Sequence, residues 1–435
     1  MKYLILLLLI ICASTPILSQ EGADAKFKAR IETLPTVIND PKKLDTVFSP
    51  ALLSAVSPEK LTETFRQLRD TYGDAVKVTK IEKDEDYSRN VTIEFSKGFE
   101  LIFATTLAAE GDHLVQGLLV TSVQKISSSI DEIISDLTKL SGRQTFLTAK
   151  LDGADVEKIN ELNASEPFAI GSTFKLYVLA QLQNEINRGE RDWADVVALE
   201  EKSFPTGMLQ EWRKGSPLTF NTLASLMISI SDNTATDQLI ENLGRENIEK
   251  MLVTAGNTHA EKNLPFLKTS EMFKIKGLGD GSYAETYATA GVLQRTTMLN
   301  SKIANGNLDD IDLNKFLKKP TYINEIEWFA SSEDLARVMG WFVENTRDPD
   351  DSNAMGALTI NKALDKITAA KWNYVGYKGG SEPGVISMTY LLQAKSGDWY
   401  VLTASWNDAE KVVNDGVFVG IIQKAVSLFA DSVSK

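Results

Sequence analysis

The sequence is poor in the two side chains that carry much nucleophilic and metal-dependent chemistry. Of its 435 residues one is a cysteine, Cys12, and two are histidines, His113 and His259. Once the N-terminal run that holds Cys12 is set apart, no disulfide, cysteine nucleophile or cysteine metal site is possible. The sequence also has neither a Gly-x-Ser-x-Gly elbow nor a His-Glu-x-x-His zinc helix. We interpret both histidines as surface or loop residues and expect neither a metal nor a cofactor, which directs hydrolytic chemistry toward serine with lysine.

Positive charge is also in short supply. The chain has 46 Lys and Arg against 59 Asp and Glu, a formal net charge of -13. An acidic surface repels phosphate backbones and anionic lipids, so nucleic acid and membrane surfaces are disfavoured as partners. The content of 43% apolar and 24% charged residues is that of a folded globular protein, and the length predicts two domains.

The first residues have the order of a secretory signal peptide. Lys2 supplies positive charge, Tyr3 to Cys12 is a continuous apolar run, and small and polar residues follow up to Gln20. The pattern predicts a signal peptide over residues 1–19, cut after Ser19, and a secreted or periplasmic mature protein without a membrane span. Lipid attachment at Cys12 is the alternative, and it is disfavoured because the preceding Ile11 is not small.

Residues 30–125 predict a small α+β domain. A helical pattern fills residues 40–73, and four alternating runs separated by turn residues follow it. The four predicted strands are 76–81, 90–95, 100–105 and 114–120. Helices followed by consecutive hairpin strands resemble, in element order, the cone-shaped fold shared by nuclear transport factor and steroid isomerase.

Residues 126–435 have a different organisation and predict a second α+β domain. Strands are expected near both ends of this segment, a mostly helical stretch between them from residue 172 to about 340, and a helix at each terminus. The predicted terminal helices are 127–140 and 414–433, and the predicted strands are 145–151, 156–162, 372–378, 386–394 and 399–406. This order predicts an antiparallel sheet flanked by helices, with an all-helical lobe.

The chemistry begins with a serine and a lysine three residues apart, which share one face of a helix turn. Four Ser-x-x-Lys matches occur, beginning at Ser57, Ser122, Ser172 and Ser432. Only Ser172 and Lys175 lie between apolar segments, so this pair is expected to be buried and to need polar partners. A lysine kept neutral by burial could take the proton of Ser172, which makes Ser172 the predicted nucleophile and Lys175 its base.

Two further motifs follow in the chain. Ser231-Asp232-Asn233 comes after an apolar helix; Ser231 could relay a proton, and Asn233 could bind a substrate amide, although a helix cap would use the same residue types. Lys378-Gly379-Gly380-Ser381 ends a predicted strand. There Lys378 supplies a cation, Gly380 lets substrate lie along the strand, and the N–H groups of Ser381 and Ser172 could form an oxyanion hole. A Gly-rich hairpin turn is the other interpretation of this motif.

Together, the three motifs resemble the Ser-x-x-Lys, Ser-Asp-Asn and Lys-Thr-Gly sets of the serine β-lactamases and penicillin-binding proteins, over residues 126–435. The stretch from Phe204 to Trp212 is similar to class A enzymes, a resemblance that implies Trp212 walls the cleft. Such a domain behind a cone-like domain also resembles the clavulanate-pathway serine hydrolases. The resemblance implies a hydrolase that acylates Ser172 and acts on β-lactams or related small amides and esters, as a monomer or weak dimer.

The departures from the class A pattern concern the second half of the reaction. No Glu-x-x-Leu-Asn element follows Ser231, and Glu271, in the segment that takes its place, is the candidate deacylation base. Gly379 stands where the class has Thr, so Ser381 is expected to replace that hydroxyl. Three hypotheses stay open: a β-lactamase, a penicillin-binding-like D-peptidase or esterase with slow deacylation, and a weakly catalytic binding protein.

Overall fold

The chain forms two compact units in the computed structural model, which describes residues 20–153, 155–312, 318–346 and 352–433. Unit 1 comprises the described residues up to Ser129 together with Asn414–Ala425. Unit 2 comprises Ile130–Val413 and the described residues from Val426 onward. The sequence predicts a boundary after residue 125 but not the return of the chain to unit 1 near its end. The predicted signal peptide and Cys12 lie outside the described residues.

Unit 1 is a four-stranded antiparallel sheet preceded by four helices. The sheet order is β1-β2-β3-β4, with each strand paired to the next along the chain. The elements are α1 (Gln20–Ile31), α2 (Leu34–Asn39), α3 (Pro50–Ala55), α4 (Pro58–Tyr72), β1 (Ala75–Glu85), β2 (Ser88–Phe95), β3 (Phe99–Leu107) and β4 (Val115–Lys125). The predicted helices-then-strands order is therefore what this unit has, while its likeness to the cone-shaped fold stays a prediction.

Local sequence explains how the helices of unit 1 begin and end. Ser49 and Ser57 each precede a proline and accept a hydrogen bond from the backbone three residues later, which caps α3 and α4. The Ser57-x-x-Lys60 match is therefore a helix cap. The predicted continuous helical pattern over 40–73 is broken into a 3-10 turn and two helices, because these capped prolines start new helices.

The sheet of unit 2 joins strands from both ends of its sequence. Its order is β11-β12-β13-β5-β6, all antiparallel, so that β11 is an edge strand. The strands of this unit are β5 (Arg143–Asp152), β6 (Asp155–Leu162), β7 (Phe168–Ala169), β8 (Val196–Ala198), β9 (Pro217–Thr219), β10 (Phe329–Ala330), β11 (Tyr374–Glu382), β12 (Val385–Gln393) and β13 (Trp399–Asn407). The pairs β7–β10 and β8–β9 lie outside the main sheet.

Helices fill the rest of unit 2. They are α5 (Ile130–Thr138), α6 (Lys175–Asn187), α7 (Phe220–Ser229), α8 (Asn233–Leu243), α9 (Arg245–Thr254), α10 (Thr269–Gly277), α11 (Ser282–Thr289), α12 (Val292–Met298), α13 (Ser332–Asn345), α14 (Asn353–Thr359) and α15 (Lys366–Ala370). The last helix, α16 (Asp415–Val433), begins in unit 1 and ends in unit 2. The predicted α+β class, with an antiparallel sheet and a helical lobe, is confirmed.

Burial follows from position in these layers. Almost every residue of the central strands β12 and β13 is buried, as expected for strands that are covered on both faces. Helix α6 is buried over most of its length and lies at the centre of the apolar core of unit 2. A helix that is buried over most of its surface is held by its neighbours, so packing fixes the position of the segment after Ser172.

Helix α16 is, within the described part of the chain, the one helix long and apolar enough to cross a membrane. In its most apolar window 56% of the residues are buried within the protein. Core helices of soluble proteins have the same length and composition.

Candidate active site

Ser172 lies in a 3-10 turn, Gly171–Phe174, that precedes α6; we call it the serine turn. The sequence predicts that a helix begins at Ser172, whereas the regular helix begins at Lys175. Gly171 has a φ of +47°, a left-handed conformation that glycine adopts without strain. Its neighbours in the turn are buried while Ser172 is partly exposed, so the predicted nucleophile is the residue of this turn that a substrate can reach.

The amine of Lys175 is completely buried at the start of α6. Its Nζ lies 2.8 Å from the backbone oxygen of Ser231, 3.0 Å from Ser231 Oγ and 2.7 Å from Asn233 Oδ1. A neutral amine has two N–H donors and one lone pair. It can donate to the backbone oxygen and to the amide oxygen while its lone pair accepts a proton.

The surroundings of Lys175 favour that neutral form. Burial lowers its pKa well below the usual value, and the nearby Lys378 lowers it further, whereas Asp237 and Asp232 oppose the shift. A cation in a site without water loses its hydration, so the uncharged amine is the more stable form there. The geometry thus gives Lys175 the protonation state that a general base needs.

Ser231 and Asn233 are held on either side of a helix start. Ser231 has a φ of +57°, a conformation that costs a non-glycine residue about 1–2 kcal/mol. Asn233 is the first residue of α8, and its Nδ2 donates to the backbone oxygen of Phe204 at 2.8 Å. Thr206 Oγ1 donates to the Ser231 oxygen at 2.8 Å. The loop at 204–206 therefore holds the side chain of Asn233 and the backbone of Ser231, both of which contact Lys175.

Asp232 connects these residues to the same loop. Its buried carboxylate caps α8 by accepting from Ala235 N at 2.9 Å, and it also accepts from Met208 N at 2.7 Å and Leu209 N at 3.0 Å. Gly207, at a φ of +117°, lies so close that a Cβ there would overlap the carboxylate. The motif is thus both a helix cap and part of the site, and the two interpretations of it are not exclusive.

Lys378 completes a chain of polar atoms. Its Nζ lies 3.2 Å from Ser231 Oγ, and it also donates to the backbone oxygen of Gly379. Only 2% of the residue is exposed, and burial lowers its pKa to about 7. Ser231 Oγ therefore lies between two amines, at 3.0 Å from that of Lys175 and 3.2 Å from that of Lys378.

The edge strand β11 passes against the serine turn at Gly380. A Cβ on Gly380 would overlap Ser172 N and the oxygen of Ile170, and a Cβ on Gly171 would lie 3.2 Å from Ser381 N. Only a residue without a side chain permits such an approach of two backbones. The backbones of Ser172 and Ser381 therefore lie close together, which an oxyanion hole formed by their N–H groups requires.

Replacing Gly380 with alanine should separate the two backbones. We expect acylation at Ser172 to slow by about 100-fold or more, since a shift of about 1 Å in a catalytic group has such an effect. Gly356→Ala in α14 is the matched control, because a Cβ there meets nothing within 4 Å. Adduct formation with a labelled acylating compound, followed over time, checks this. Equal rates for G380A and G356A would contradict the close approach.

The described hydrogen bonds do not join Trp212 or Glu271 to the group formed by Lys175, Ser231 and Lys378. Trp212 follows the turn Leu209–Glu211, and 45% of it is exposed. Its loop is attached to the site through the bonds from Met208 and Leu209 to Asp232. A role as wall of the cleft stays a prediction.

Glu271 has two structural partners. Arg245 Nη2 donates to its Oε1 at 2.6 Å, and the backbone N of Lys268, the residue before α10, donates to its Oε2 at 2.8 Å. A carboxylate with both oxygens held in this way is poorly placed to take a proton from water. We therefore assign Glu271 a structural role and give it no step in the reaction.

Sequence reasoning missed Asp237, which is completely buried in α8. It accepts from Thr269 N and Thr269 Oγ1, both at 2.7 Å, and from Ser270 N at 2.9 Å. Burial raises its pKa to about 6, while these bonds act in the opposite direction. Its position one helical turn after Asn233 was the available signal, because residues four apart share a helix face.

The pKa of Lys378 predicts how acylation depends on pH. Because burial lowers that pKa to about 7, the amine is mostly charged below pH 7 and loses its charge as pH rises. For a substrate with a carboxylate, acylation efficiency should fall about tenfold per pH unit above 7, since the protonated fraction does so. Lys378→Arg, which stays charged, should abolish this fall.

Rates for an anionic penicillin and for an uncharged ester between pH 6 and 9 check this prediction. The ester serves as the control, because it lacks the group that Lys378 would bind. A pH dependence equal for the two substrates, and unchanged in K378R, would contradict the role of Lys378 in carboxylate recognition.

Part of the chain matches a family of known proteins. Residues 125–339 match the model of a family described as the β-lactamase enzyme family. No curated protein sequence matches the chain. The fold is similar to that of a β-lactamase from Sphaerobacter thermophilus, at 18% identity over 70% of this chain and 97% of the other, with a TM-score of 0.47.

Two further solved structures are similar over the same share of this chain. An ancestral class A β-lactamase has 16% identity, is covered over its full length and gives a TM-score of 0.48. A penicillin-binding protein, PBP-A, a mutant of which was solved as an acyl-enzyme complex with penicillin G, has 15% identity, 95% coverage and a TM-score of 0.47.

Proposed function

Residues 125–339 match the β-lactamase enzyme family, and from this premise we propose that the chain is a serine hydrolase acylated at Ser172 by β-lactams or related small amides and esters. The observation that carries the proposal is the polar chain Lys175–Ser231–Lys378, with steps of 3.0 and 3.2 Å, beside the serine turn. Burying two amines costs free energy, and apolar side chains would fill the same space without that cost. We therefore interpret the two lysines as functional rather than structural residues.

The proposed acylation uses each group once. Lys175 takes the proton of Ser172 as the hydroxyl oxygen attacks the substrate carbonyl carbon. The N–H groups of Ser172 and Ser381 donate to the oxygen that becomes negative. As the C–N or C–O bond of the substrate breaks, the proton passes from Lys175 through Ser231 to the leaving atom. Lys378 binds the substrate carboxylate, Asn233 binds its amide, and Gly380 leaves room for it along β11.

Deacylation is the step that divides the candidate functions. A water molecule must attack the acyl-enzyme, and it needs a base to take its proton. Glu271 is held by Arg245 and by the cap of α10, so it does not supply that base in our proposal. We therefore propose that acylation is faster than deacylation. The second candidate function is a penicillin-binding-like D-peptidase or esterase, and slow deacylation fits it better than it fits a rapid β-lactamase.

One experiment separates the candidates. The mature protein is incubated with a chromogenic cephalosporin and with a labelled penicillin, and turnover and intact mass are read together. Rapid turnover supports the β-lactamase, and a long-lived adduct on Ser172 supports the penicillin-binding-like enzyme. If the wild type shows neither turnover nor an adduct, and so behaves like Ser172→Ala, the proposal is refuted and a binding protein is favoured.

The location and assembly of the protein are proposals of the same kind. We propose cleavage after Ser19, release into the periplasm or the medium, and a monomer or weak dimer that carries no lipid. The mass of the exported protein distinguishes cleavage after Ser19 from lipid attachment at Cys12, and light scattering gives the oligomeric state.

A further inference from the structure

A buried group of three charged side chains lies in unit 2 apart from the residues that touch substrate in our proposal. Lys276 Nζ, at the end of α10, lies 2.7 Å from Glu327 Oε1 and 2.7 Å from Glu382 Oε1. The side chains of Lys276 and Glu327 are fully buried, and that of Glu382 is 9% exposed. We call these three residues the triad.

The charges of the triad do not balance if all three groups are ionised. Two carboxylates and one ammonium leave a net negative charge in a buried site, which is strongly unfavourable. Glu327 Oε2 and Glu382 Oε2 are also buried without a hydrogen-bond partner among the described residues. One added proton removes both problems, because it neutralises the group and gives these oxygens a donor.

The triad connects β11, which carries Ser381, to the segment that is hydrogen-bonded to the residue before the serine turn. Glu382 follows Ser381 directly in β11. Glu327 precedes Trp328, whose backbone oxygen accepts from Ile170 N at 3.0 Å, immediately before the serine turn. A movement of one carboxylate relative to the other therefore changes the separation of β11 from the serine turn.

We propose that Lys276, Glu327 and Glu382 act as positioning residues, which hold one shared proton and set the distance between the N–H groups of Ser172 and Ser381. The proposal rests on the proposed acylation at Ser172 for its kinetic consequence but not for its structural one. Loss of the shared proton leaves two carboxylates in repulsion, moves Glu382 away from Glu327, and widens the oxyanion hole.

The titration of the groups agrees with this assignment. Burial, and after it the charge of Glu327, raises the pKa of Glu382 well above its usual value, against the opposing effect of Lys276. Burial alone would lower the pKa of Lys276, but Glu327 and Glu382 outweigh it and raise that pKa. The groups that face Glu382 are Lys276 from α10 and Glu327 from the segment before β10, and its own strand carries Lys378.

The kinetic test compares two variants of Glu382 with a matched control. Glu382→Ala should lower the acylation rate constant for penicillin about 10- to 100-fold, with substrate affinity changed less than about threefold. Glu382→Gln keeps the shape and supplies a permanent donor to Glu327, so it should restore most of the rate at pH 7. Glu185→Ala is the control, because Glu185 is equally buried and paired with Arg191 away from the site.

The pH profile isolates the shared proton. The ratio of wild-type to Glu382→Gln rates should fall as pH rises from 7 to 9.5, because only the wild type can lose the proton and Lys378 is unchanged in both. A constant ratio, or equal loss of rate in Glu382→Ala and Glu185→Ala, would overturn the proposal.

Two measurements on the uncomplexed protein need no activity. The infrared carbonyl band of a protonated carboxyl group should be present at pH 7 and be lost in both Glu382→Gln and Glu327→Gln. Hydrogen exchange of the amides at 170–172 and 380–382 should be faster in Glu382→Ala than in Glu185→Ala. If Ser172 forms no adduct, these results still decide the proposal, and absence of the band with unchanged exchange refutes it.

Discussion

Replacing Lys175 with methionine is expected to slow acylation at Ser172 by about 1,000-fold, the middle of the range for general-base catalysis. Methionine fills the space of the alkyl chain but cannot accept a proton from the hydroxyl. The effect should appear in the rate constant for adduct formation, measured by intact mass with a penicillin. Lys150→Met, which alters an exposed lysine paired with Asp398, is the matched control.

The same variant should also change how stability depends on pH. In the folded protein the pKa of Lys175 is lowered by burial, whereas the unfolded chain has the usual pKa of about 10.4. The unfolded state therefore binds more protons at pH 7. The stability of the wild type should rise with pH until the pH reaches the pKa of the lysine in the unfolded chain. Lys175→Met should lose this part of the pH dependence.

An acylation rate equal to that of the wild type would refute Lys175 as the base.

Replacing Asp232 with alanine is expected to have the largest effect on stability. Three backbone N–H groups, of Ala235, Met208 and Leu209, would lose their acceptor, and the bonds from Ala235 and Leu209 are buried. Each unsatisfied donor costs about 1–3 kcal/mol, so we expect a loss of about 4 kcal/mol in the free energy of unfolding. Acylation should also slow, because the loop that positions Ser231 would lose its anchor.

Asp365→Ala serves as the control for Asp232→Ala. Asp365 caps α15 in the same way, accepting from Ile367 N and Thr368 N, both at 2.9 Å. Loss of this cap should cost about 1–2 kcal/mol and leave the acylation rate unchanged. Denaturant midpoints and adduct kinetics, measured on both variants, check the pair. Equal stability losses for the two would contradict the linking role of Asp232.

The separation of acylation from deacylation has a consequence for engineering. The acylating groups form one connected set, whereas the candidate for deacylation, Glu271, is committed to Arg245 and to the cap of α10. Changing Arg245 would free only Oε1 of Glu271, because Oε2 still accepts from the backbone N of Lys268 at the start of α10. A faster hydrolase would need a new carboxylate rather than a freed one.

Much of the fold could be predicted from local pattern. The strands 90–95, 386–394 and 399–406 and the final helix 414–433 were expected within a few residues of β2, β12, β13 and α16. Alternation and long apolar runs are local signals, so these elements can be predicted from a short window of sequence. The early helices were less predictable, because capped prolines divide a pattern that looks continuous.

The sequence by itself determined which residue types are available for chemistry. With one cysteine and two histidines, a serine with a lysine was the natural hydrolytic pair, and apolar flanks selected Ser172 from four matches. The tertiary structure alone decided protonation and geometry. The pKa values of Lys175 and Lys378 are lowered because segments distant in sequence bury them. Glu327 and Glu382 both contact Lys276 because folding places β11 beside α10.

The physical reason is that these properties depend on what surrounds a side chain rather than on the chain near it. Desolvation is set by every segment that covers an amine, and Lys175 meets Ser231 across 56 positions of sequence. Glu271 is the opposite case: the sequence allowed a base, and only the partners brought to it by folding, Arg245 and the backbone of Lys268, gave both of its oxygens another use.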